Sequence, residues 1–223
     1  PGRRAVRQVV PALRDSEKLD FVIANGENAA GGIGMTRETC EDIFGAGVDA
    51  MTSGNHVFDK PEMLDFIGHE PRIVRAANFP AGTPGARLGL YPTPHGLLAL
   101  VTVLGRTFMK PLDCPFKAAR EEHRAAVEAG ARFTIFDMHA EATSVKVAFG
   151  WWMDGLASVV VGTHTHIPTA DERVLPGGTA YCTDLGMTGP FDSVIGVEKA
   201  AAISRFVTGL PSKFKPAGRD VRL

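Results

Sequence analysis

Short apolar runs alternate with amphipathic stretches along the chain, and this alternation predicts where its strands and helices lie. The runs that predict strands are 21–24, 48–52, 72–76, 88–91, 97–104, 133–136, 157–161 and 179–183. The stretches that predict helices are 5–13, 37–44, 63–67, 115–129 and 197–207, because their apolar residues recur at helical spacing. Such alternation predicts a layered α/β fold, with mixed β-sheets flanked by helices.

Residues at the ends of these segments predict some of the local structure. Thr36 is the predicted N-cap of the helix at 37–44, because its hydroxyl can accept a hydrogen bond from a free backbone N–H. Asp59 and Glu62 have the spacing of a capping box. The turn-rich segment 92–96 predicts a hairpin. Neither repeats nor linkers divide the chain, so we expect one domain over residues 1–223.

Polar clusters follow four of the predicted strands. These clusters are Gly26-Glu27-Asn28, Gly54-Asn55-His56, Asp137-Met138-His139 and His164-Thr165-His166. In open α/β sheets, ligands bind beyond the carboxyl ends of the strands, so we expect these clusters to meet in one site. His164 and His166 are two residues apart, so an extended backbone would point both imidazoles the same way.

Imidazole nitrogens with carboxylate and amide oxygens, and without thiolates, favour zinc, iron or manganese over calcium or magnesium. Each cluster alone has an ordinary structural explanation, such as a turn or a hydrogen-bonded histidine, and the four together favour a metal site. Asp137 is compatible with two roles, either orienting an imidazole or capping at the surface. Structural roles are expected for the remaining histidines and for two tryptophans, the latter in the core near the site: His69, His95, His123, Trp151 and Trp152.

Composition and charge narrow the class of protein. Lys plus Arg number 24 against 25 Asp plus Glu, which gives no electrostatic reason to expect a nucleic-acid or membrane-surface partner. The longest apolar run, 97–104, is too short to span a bilayer. Three cysteines without close spacing argue against a disulfide framework. With no apolar leader at Pro1, these features predict a cytoplasmic protein.

Several of these motifs resemble a known family. Gly54-Asn55-His56 and the segment 162–166, Gly-Thr-His-Thr-His, resemble the G-N-H and G-H-x-H elements of calcineurin-like metallophosphoesterases. A closer resemblance, to the YmdB-like bacterial phosphodiesterases, extends over segments 25–30, 77–80, 82–85, 105–108, 139–144 and 184–190. The resemblance covers nearly the whole chain and implies the calcineurin-like metallophosphoesterase fold.

The resemblance also implies ligand roles in a centre of two divalent metal ions, iron or manganese foremost and zinc as an alternative. Glu27 would bridge the two metals, and His56 would be the proton donor. The first metal would be bound by Asn28 and His166, and the second by Asn55, His139 and His164. The expected substrates are small phosphodiesters, namely cyclic nucleotides of the 2′,3′ and also the 3′,5′ form.

Three alternatives remain open from the sequence. The chain would be a broader phosphomonoesterase, a nuclease, or a metal-binding regulatory protein without turnover. The resemblance places a strand ending in Gly-Asp, with one metal-binding Asp, before Pro1, and a further segment after Leu223. As written, the chain is therefore expected to lack a core strand and one ligand. A homo-oligomer is a further expectation.

Overall fold

The computed structural model describes residues 1–223. The helices are α1 (Gly2–Glu17), α2 (Arg37–Gly45), α3 (Met63–Phe66), α4 (Pro115–Glu128), α5 (Thr143–Met153) and α6 (Lys199–Thr208). The strands are β1 (Ile23–Asn25), β2 (Ala50–Thr52), β3 (Ile73–Val74), β4 (Gly89–Thr93), β5 (Gly96–Leu104), β6 (Phe133–His139), β7 (Val159–Thr163), β8 (Arg173–Val174), β9 (Ala180–Cys182), β10 (Gly189–Pro190) and β11 (Val221–Arg222).

These strands form two main sheets. The smaller sheet is parallel, in the order β1-β2-β3. The larger sheet has the order β4-β5-β6-β7-β9-β8, with parallel pairing from β5 through β9 and antiparallel strands at both edges. A separate antiparallel pair joins β10 to β11. The predicted mixture of parallel and antiparallel pairing is therefore present.

The core consists of three apolar layers. One lies between the smaller sheet and helices α1 to α3, and includes Met51 and Phe44. A second lies between the two sheets, where Ala50 and Val74 meet Leu100 of β5. The third lies between the larger sheet and helices α4 and α5, with residues such as Phe136 and Phe149 at its centre. Each sheet therefore buries both faces, and the layered α/β fold predicted from sequence is confirmed.

Most of the predicted helices and strands are present, whereas of the two predicted helix caps one is confirmed and one is wrong. Thr36 caps α2 as predicted, because its side chain accepts a hydrogen bond from the Thr39 N–H at 3.2 Å. The predicted capping box before α3 is wrong, since Glu62 makes no side-chain cap there. Helix α5 was not predicted. It leaves Trp151 and Trp152 about half exposed, so the expectation that both tryptophans pack in the core is also wrong.

The register of the parallel strands sets the position of the polar clusters. Leu104 of β5 pairs with His139 of β6, and His139 pairs with Thr163 of β7. In the smaller sheet, Asn25 of β1 pairs with Thr52 of β2. Asn25 and Thr52 both donate hydrogen bonds to Asp137 of β6, so the carboxyl ends of the two sheets lie side by side, as the strand-end argument requires.

The cysteines and helices bear on the predicted class of protein. All three cysteines are free thiols, with Cys40 buried and Cys114 and Cys182 partly buried. None of the helices has the length and apolar character needed to cross a membrane.

Candidate metal centre

A buried group of ligand atoms lies where the two sheets meet, centred on Nε2 of His139. This nitrogen lies 2.9 Å from Glu27 Oε2 and 3.1 Å from Asn55 Oδ1. It also lies 3.1 Å from Nδ1 of His164. Glu27 and His139 are 2% and 1% exposed, so bulk water does not solvate these atoms. Glu27, His139 and His164 each contribute one possible ligand atom, and these three atoms lie within 4.8 Å of one another.

Hydrogen bonds around His139 and His164 show which ring nitrogen of each residue carries a proton. Nδ1 of His139 lies 2.8 Å from the Thr163 hydroxyl, which donates its own hydrogen to Asp137 Oδ1 at 2.7 Å. That hydroxyl therefore accepts from His139 Nδ1–H. The Nε2 of His164 faces a carboxylate oxygen of Glu141 at 3.2 Å. Because a carboxylate accepts hydrogen bonds, this nitrogen carries the His164 proton.

These contacts bring four possible ligand atoms together. Nε2 of His139 faces unprotonated Nδ1 of His164, a carboxylate oxygen of Glu27 and the amide oxygen of Asn55. Without a metal ion, a proton on His139 Nε2 can be shared with the Glu27 carboxylate, and a cation would take the place of that proton. A cation at this point would be attracted by all four atoms, and histidine ligands are commonly held through the opposite nitrogen in this way. The donor set therefore fits a metal ion.

A second group lies beside the first. Nδ1 of His166 lies 2.9 Å from the Ile195 carbonyl oxygen, which can only accept, so His166 Nε2 is unprotonated. That Nε2 accepts a hydrogen bond from the Asn28 Nδ2 at 3.0 Å. The Asn28 Oδ1 is buried and has no hydrogen-bond partner. Turning the Asn28 amide over would bring this unpartnered oxygen to the His166 Nε2, and the two atoms would then suit a second metal ion of the kind that binds oxygen and nitrogen.

His56 lies at the edge of this group and is held from two sides. Its backbone N–H donates to Glu27 Oε1 at 2.9 Å, and its Nδ1 lies 2.7 Å from Asp59 Oδ2. Asp59 therefore orients the imidazole instead of capping α3. The Nε2 of His56 makes no hydrogen bond within the protein, and the side chain is 37% exposed. This nitrogen is free to exchange a proton with a bound molecule.

The charges in the site suit metal binding near neutral pH. Burial raises the pKa of Glu27, but hydrogen bonding and charge from His139, with the His56 N–H, outweigh burial and lower it overall. Burial, followed by charge on His139, lowers the pKa of His164. Glu27 is therefore an anion and His164 a neutral imidazole, which are the forms that bind metal ions.

The loop that carries the paired histidines is not extended, so that part of the sequence prediction is wrong. Strand β7 ends at Thr163, and His164 and His166 have φ values of 95° and 68°. Between them, the Thr165 hydroxyl donates to Asp184 at 2.7 Å. Positive φ is unusual for residues with a side chain, and the Thr165 hydrogen bond helps to hold it. The turn directs His164 to His139 and His166 to Asn28.

Asp184 is held by a buried ion pair with Lys146 of α5, and both residues are 1% exposed. Asp184 Oδ1 also accepts from the Gly186 N–H at 2.8 Å. A buried charge is tolerated when it is paired and hydrogen-bonded. Lys146 therefore holds Asp184, and Asp184 holds the histidine loop through the Thr165 hydroxyl. No sequence motif indicated this role.

Asp137 joins the two sheets directly beneath the ligand group. Besides Thr163, it accepts from the Thr52 hydroxyl at 2.5 Å and from the Asn25 amide at 3.1 Å. Asp137 is 3% exposed, which excludes the surface role that the sequence left open. Through Thr163, its carboxylate orients the His139 imidazole.

The seven residues expected to form the site lie along two adjoining clefts. One, of about 470 Å³, is lined by Glu27, Asn28, Gly32, His56, Glu141, His164, Thr165, His166, Ile167 and Ile195. The other, of about 400 Å³, is lined by Asn55, Phe108, Met109, Lys110 and His164. His139 is buried beneath them. As expected, His69 and His95 are occupied elsewhere, near the Asp65 carbonyl and Asp20.

Known proteins similar to this chain include enzymes and solved structures. The 2′,3′-cyclic-nucleotide 2′-phosphodiesterase of Bacillus subtilis (strain 168) is 49% identical over 219 residues, which cover 97% of this chain and 82% of that protein. A hypothetical protein from Thermus thermophilus has a crystal structure with a TM-score of 0.90 and 45% identity, covering 97% of this chain and 84% of that one. A novel phosphatase from Mycoplasma pneumoniae has a TM-score of 0.89 and 32% identity, covering 97% and 78%.

The family comparison covers the whole chain. The model of the family described as YmdB-like protein matches residues 1–223. The match includes the strand-end clusters, the Asn78 segment and the segment around Asp184, which the sequence resemblance had singled out. The chain therefore belongs to the YmdB-like protein family.

Proposed function

We propose that this chain is a metal-dependent phosphodiesterase that hydrolyses cyclic nucleotides, with the 2′,3′-cyclic form as the main substrate and the 3′,5′-cyclic form as a second. The proposal assigns it a centre of two divalent metal ions, iron or manganese foremost. The Bacillus subtilis relative, named a 2′,3′-cyclic-nucleotide 2′-phosphodiesterase, supports the substrate class. Three free cysteines support a reducing cytoplasmic setting.

The observation that carries the proposal is the meeting of four possible ligand atoms at His139 Nε2. Glu27, Asn55, His139 and His164 would hold one metal ion, and Asn28 and His166, with Glu27 shared, would hold the other. Glu27 contributes the negative charge among these six ligands. Two divalent ions would leave the centre net positive, which favours binding of an anionic phosphoester.

When bound, such ions supply Lewis acidity, which activates water and offsets negative charge on phosphoryl oxygens. The chain's own residues supply orientation and a proton. Asp59 holds Nδ1 of His56, so its Nε2 faces outward and, when protonated, donates to the leaving oxygen as a general acid. The Glu27 carboxylate fixes the His56 backbone N–H and so keeps the donor beside the ligand group.

Elemental analysis and hydrolysis of 2′,3′-cyclic AMP test the proposal together. We expect two metal ions per chain after loading with manganese or iron, with turnover that chelation abolishes. One metal ion with full turnover would contradict the dinuclear centre. Metal-free protein without turnover, after the same loading, would contradict the enzyme proposal as a whole.

The variant His56→Gln separates an enzyme from a metal-binding regulatory protein. We expect turnover to fall by about a hundredfold or more, with metal content unchanged because His56 is not among the six ligands. His69→Gln is the matched control, since His69 caps its own helix end by hydrogen bonding to Asp65. Loss of metal together with activity in His56→Gln would show that His56 is a ligand and not the donor.

A broader phosphomonoesterase activity is a second candidate, because the Mycoplasma pneumoniae relative is described as a phosphatase. A substrate panel distinguishes the two. Faster turnover of plain phosphate monoesters than of cyclic diesters would favour the monoesterase, and the reverse order would favour the phosphodiesterase. Cleavage of linear RNA would point to the nuclease alternative.

A further inference from the structure

The loop that follows β5 presents a large apolar side chain to solvent beside the candidate metal centre. Phe108 is 87% exposed, the highest value among the large hydrophobic residues of the chain. Its φ is 60°, a backbone conformation that is costly for a bulky residue. Exposure and strain at one residue require a reason, and such strain concentrates at functional sites.

The loop that carries Phe108 is braced at its base. Asn78, which is 1% exposed, accepts from the Leu104 N–H at 2.8 Å and donates to the Leu104 carbonyl at 2.9 Å. The same side chain donates to the Asp113 carbonyl at 3.0 Å. One buried amide therefore ties together the start and the end of the loop. Gly105 adds a hydrogen bond at 2.9 Å to the His139 carbonyl.

The position of Phe108 relative to the metal ligands defines a cleft. The cleft of about 400 Å³ runs from Asn55 and His164, which are candidate ligands, to Phe108, Met109 and Lys110. Its volume is that of a small-molecule site. Polar ligand groups lie at one end, an aromatic ring and a thioether at the other, and a lysine cation beside them. Neither this cleft nor its neighbour has another Phe, Tyr or Trp in its wall.

We propose that Phe108 is a specificity residue that stacks on the nucleobase of the substrate while the phosphate is held at the Asn55 and His164 end of the cleft. This inference rests on the proposed function and adds to it which part of the nucleotide this cleft recognises. Every nucleobase has a flat π-face that can stack on an aromatic side chain. Met109 contributes a polarisable side of the base site, and Lys110 attracts the anionic ligand.

The stacking proposal predicts a preference for substrates that carry a base. We expect the metal-loaded chain to hydrolyse 2′,3′-cyclic AMP with a kcat/KM about ten- to a hundredfold above that for glycerol 1,2-cyclic phosphate, which has a cyclic phosphodiester of the same ring size but no base. Phe108→Ala should remove that preference through KM. The kcat/KM for the base-free substrate should fall far less than that for 2′,3′-cyclic AMP, because the base-free substrate has no base to stack on Phe108.

Phe206→Ala is the matched control, because Phe206 of α6 is 81% exposed and lines neither cleft. The Phe206→Ala variant should hydrolyse both substrates at the same rates as the unchanged chain. Phe108→Trp should keep the preference, since a larger ring stacks at least as well. Equal selectivity in Phe108→Ala and the unchanged chain would overturn the proposal while leaving the phosphodiesterase function intact.

A binding measurement tests the stacking without relying on turnover. In saturation-transfer NMR with 3′-AMP, we expect strong transfer from the protein to the adenine H2 and H8 protons. The transfer should be lost in Phe108→Ala and kept in Phe206→Ala. Unchanged transfer in Phe108→Ala would overturn the stacking role, whether or not the chain hydrolyses any substrate. If only the proposed function fails, the unchanged chain will show no turnover of cyclic nucleotides but normal saturation transfer to the adenine protons.

Discussion

Nδ1 of His139 donates a hydrogen bond to the hydroxyl of Thr163 at 2.8 Å, across neighbouring strands of the larger sheet. Because Thr163 in turn donates to Asp137, the direction of both bonds is determined. The chain of three residues therefore holds a proton on His139 Nδ1 and leaves Nε2 facing the ligand group.

Removing this hydroxyl should weaken metal binding. In Thr163→Val, His139 loses the acceptor that fixes its tautomer, and we expect metal affinity to fall by about ten- to a hundredfold. Thr163→Ser keeps the hydroxyl and should retain most of the affinity. Competition with a calibrated chelator measures the change, and Thr208→Val, on exposed α6, is the control. Unchanged affinity in Thr163→Val would show that Thr163 does not orient His139.

Gly54 is expected to be essential for the geometry of the site. A Cβ at this position would collide with the Glu27 carboxylate and with Nε2 of His139, both held by buried hydrogen bonds. Gly54→Ala should therefore abolish metal binding at neutral pH while the fold, followed by circular dichroism, remains. Gly45→Ala is the control, because its Cβ would meet no atom within 4 Å. Normal metal content in Gly54→Ala would place the metal elsewhere.

The buried pair of Lys146 and Asp184 should stabilise both the fold and the histidine loop. Lys146→Met leaves the Asp184 carboxylate without its cation, and we expect the free energy of unfolding to fall by about 3–5 kcal/mol. The double variant Lys146→Met/Asp184→Asn removes both charges and should lose less. Urea unfolding followed by fluorescence measures both. A loss below about 1 kcal/mol in Lys146→Met would mean that Asp184 is solvated.

Cys40 should make stability depend on pH in the alkaline range. Burial, followed by the nearby Glu70 charge, raises the pKa of Cys40 to about 12, whereas an exposed thiol titrates near about 8.5. The unfolded chain therefore binds fewer protons than the folded chain between these values. The contribution of Cys40 to the free energy of unfolding is therefore complete below about pH 8.5. It is lost as pH rises towards the folded-state pKa, by about 1.4 kcal/mol per pH unit.

The comparison that isolates this effect is between the unchanged chain and Cys40→Ala, because other alkaline groups are common to both. We expect the difference in unfolding free energy between them to shrink steadily from about pH 8.5 to about pH 10. Cys114→Ala, at a partly buried thiol, should give a difference that varies less. A constant difference for Cys40→Ala over this range would show that Cys40 ionises in the folded state.

The elements and the strand-end clusters were largely predictable from the sequence, because periodicity and turn residues report on local structure. Helix α5 escaped prediction because it is apolar on most sides, as Val145, Phe149 and Trp152 illustrate, and so lacks a clear polar face. Asp59 was misassigned for a related reason. Its spacing fits a capping box, but its carboxylate is used by His56 at 2.7 Å, and spacing alone does not distinguish these partners.

By itself, the sequence determined which residues lie at strand ends, and these include every candidate ligand from Glu27 to His166. It did so because the alternation of apolar and polar residues is a local property. Only the tertiary structure decided the turn at His164, the bracing by Asn78 of the loop that carries Phe108, and the proton on His139 Nδ1. Each depends on hydrogen bonds between residues far apart in the chain, and such pairings arise only when distant strands and loops come together in the folded chain.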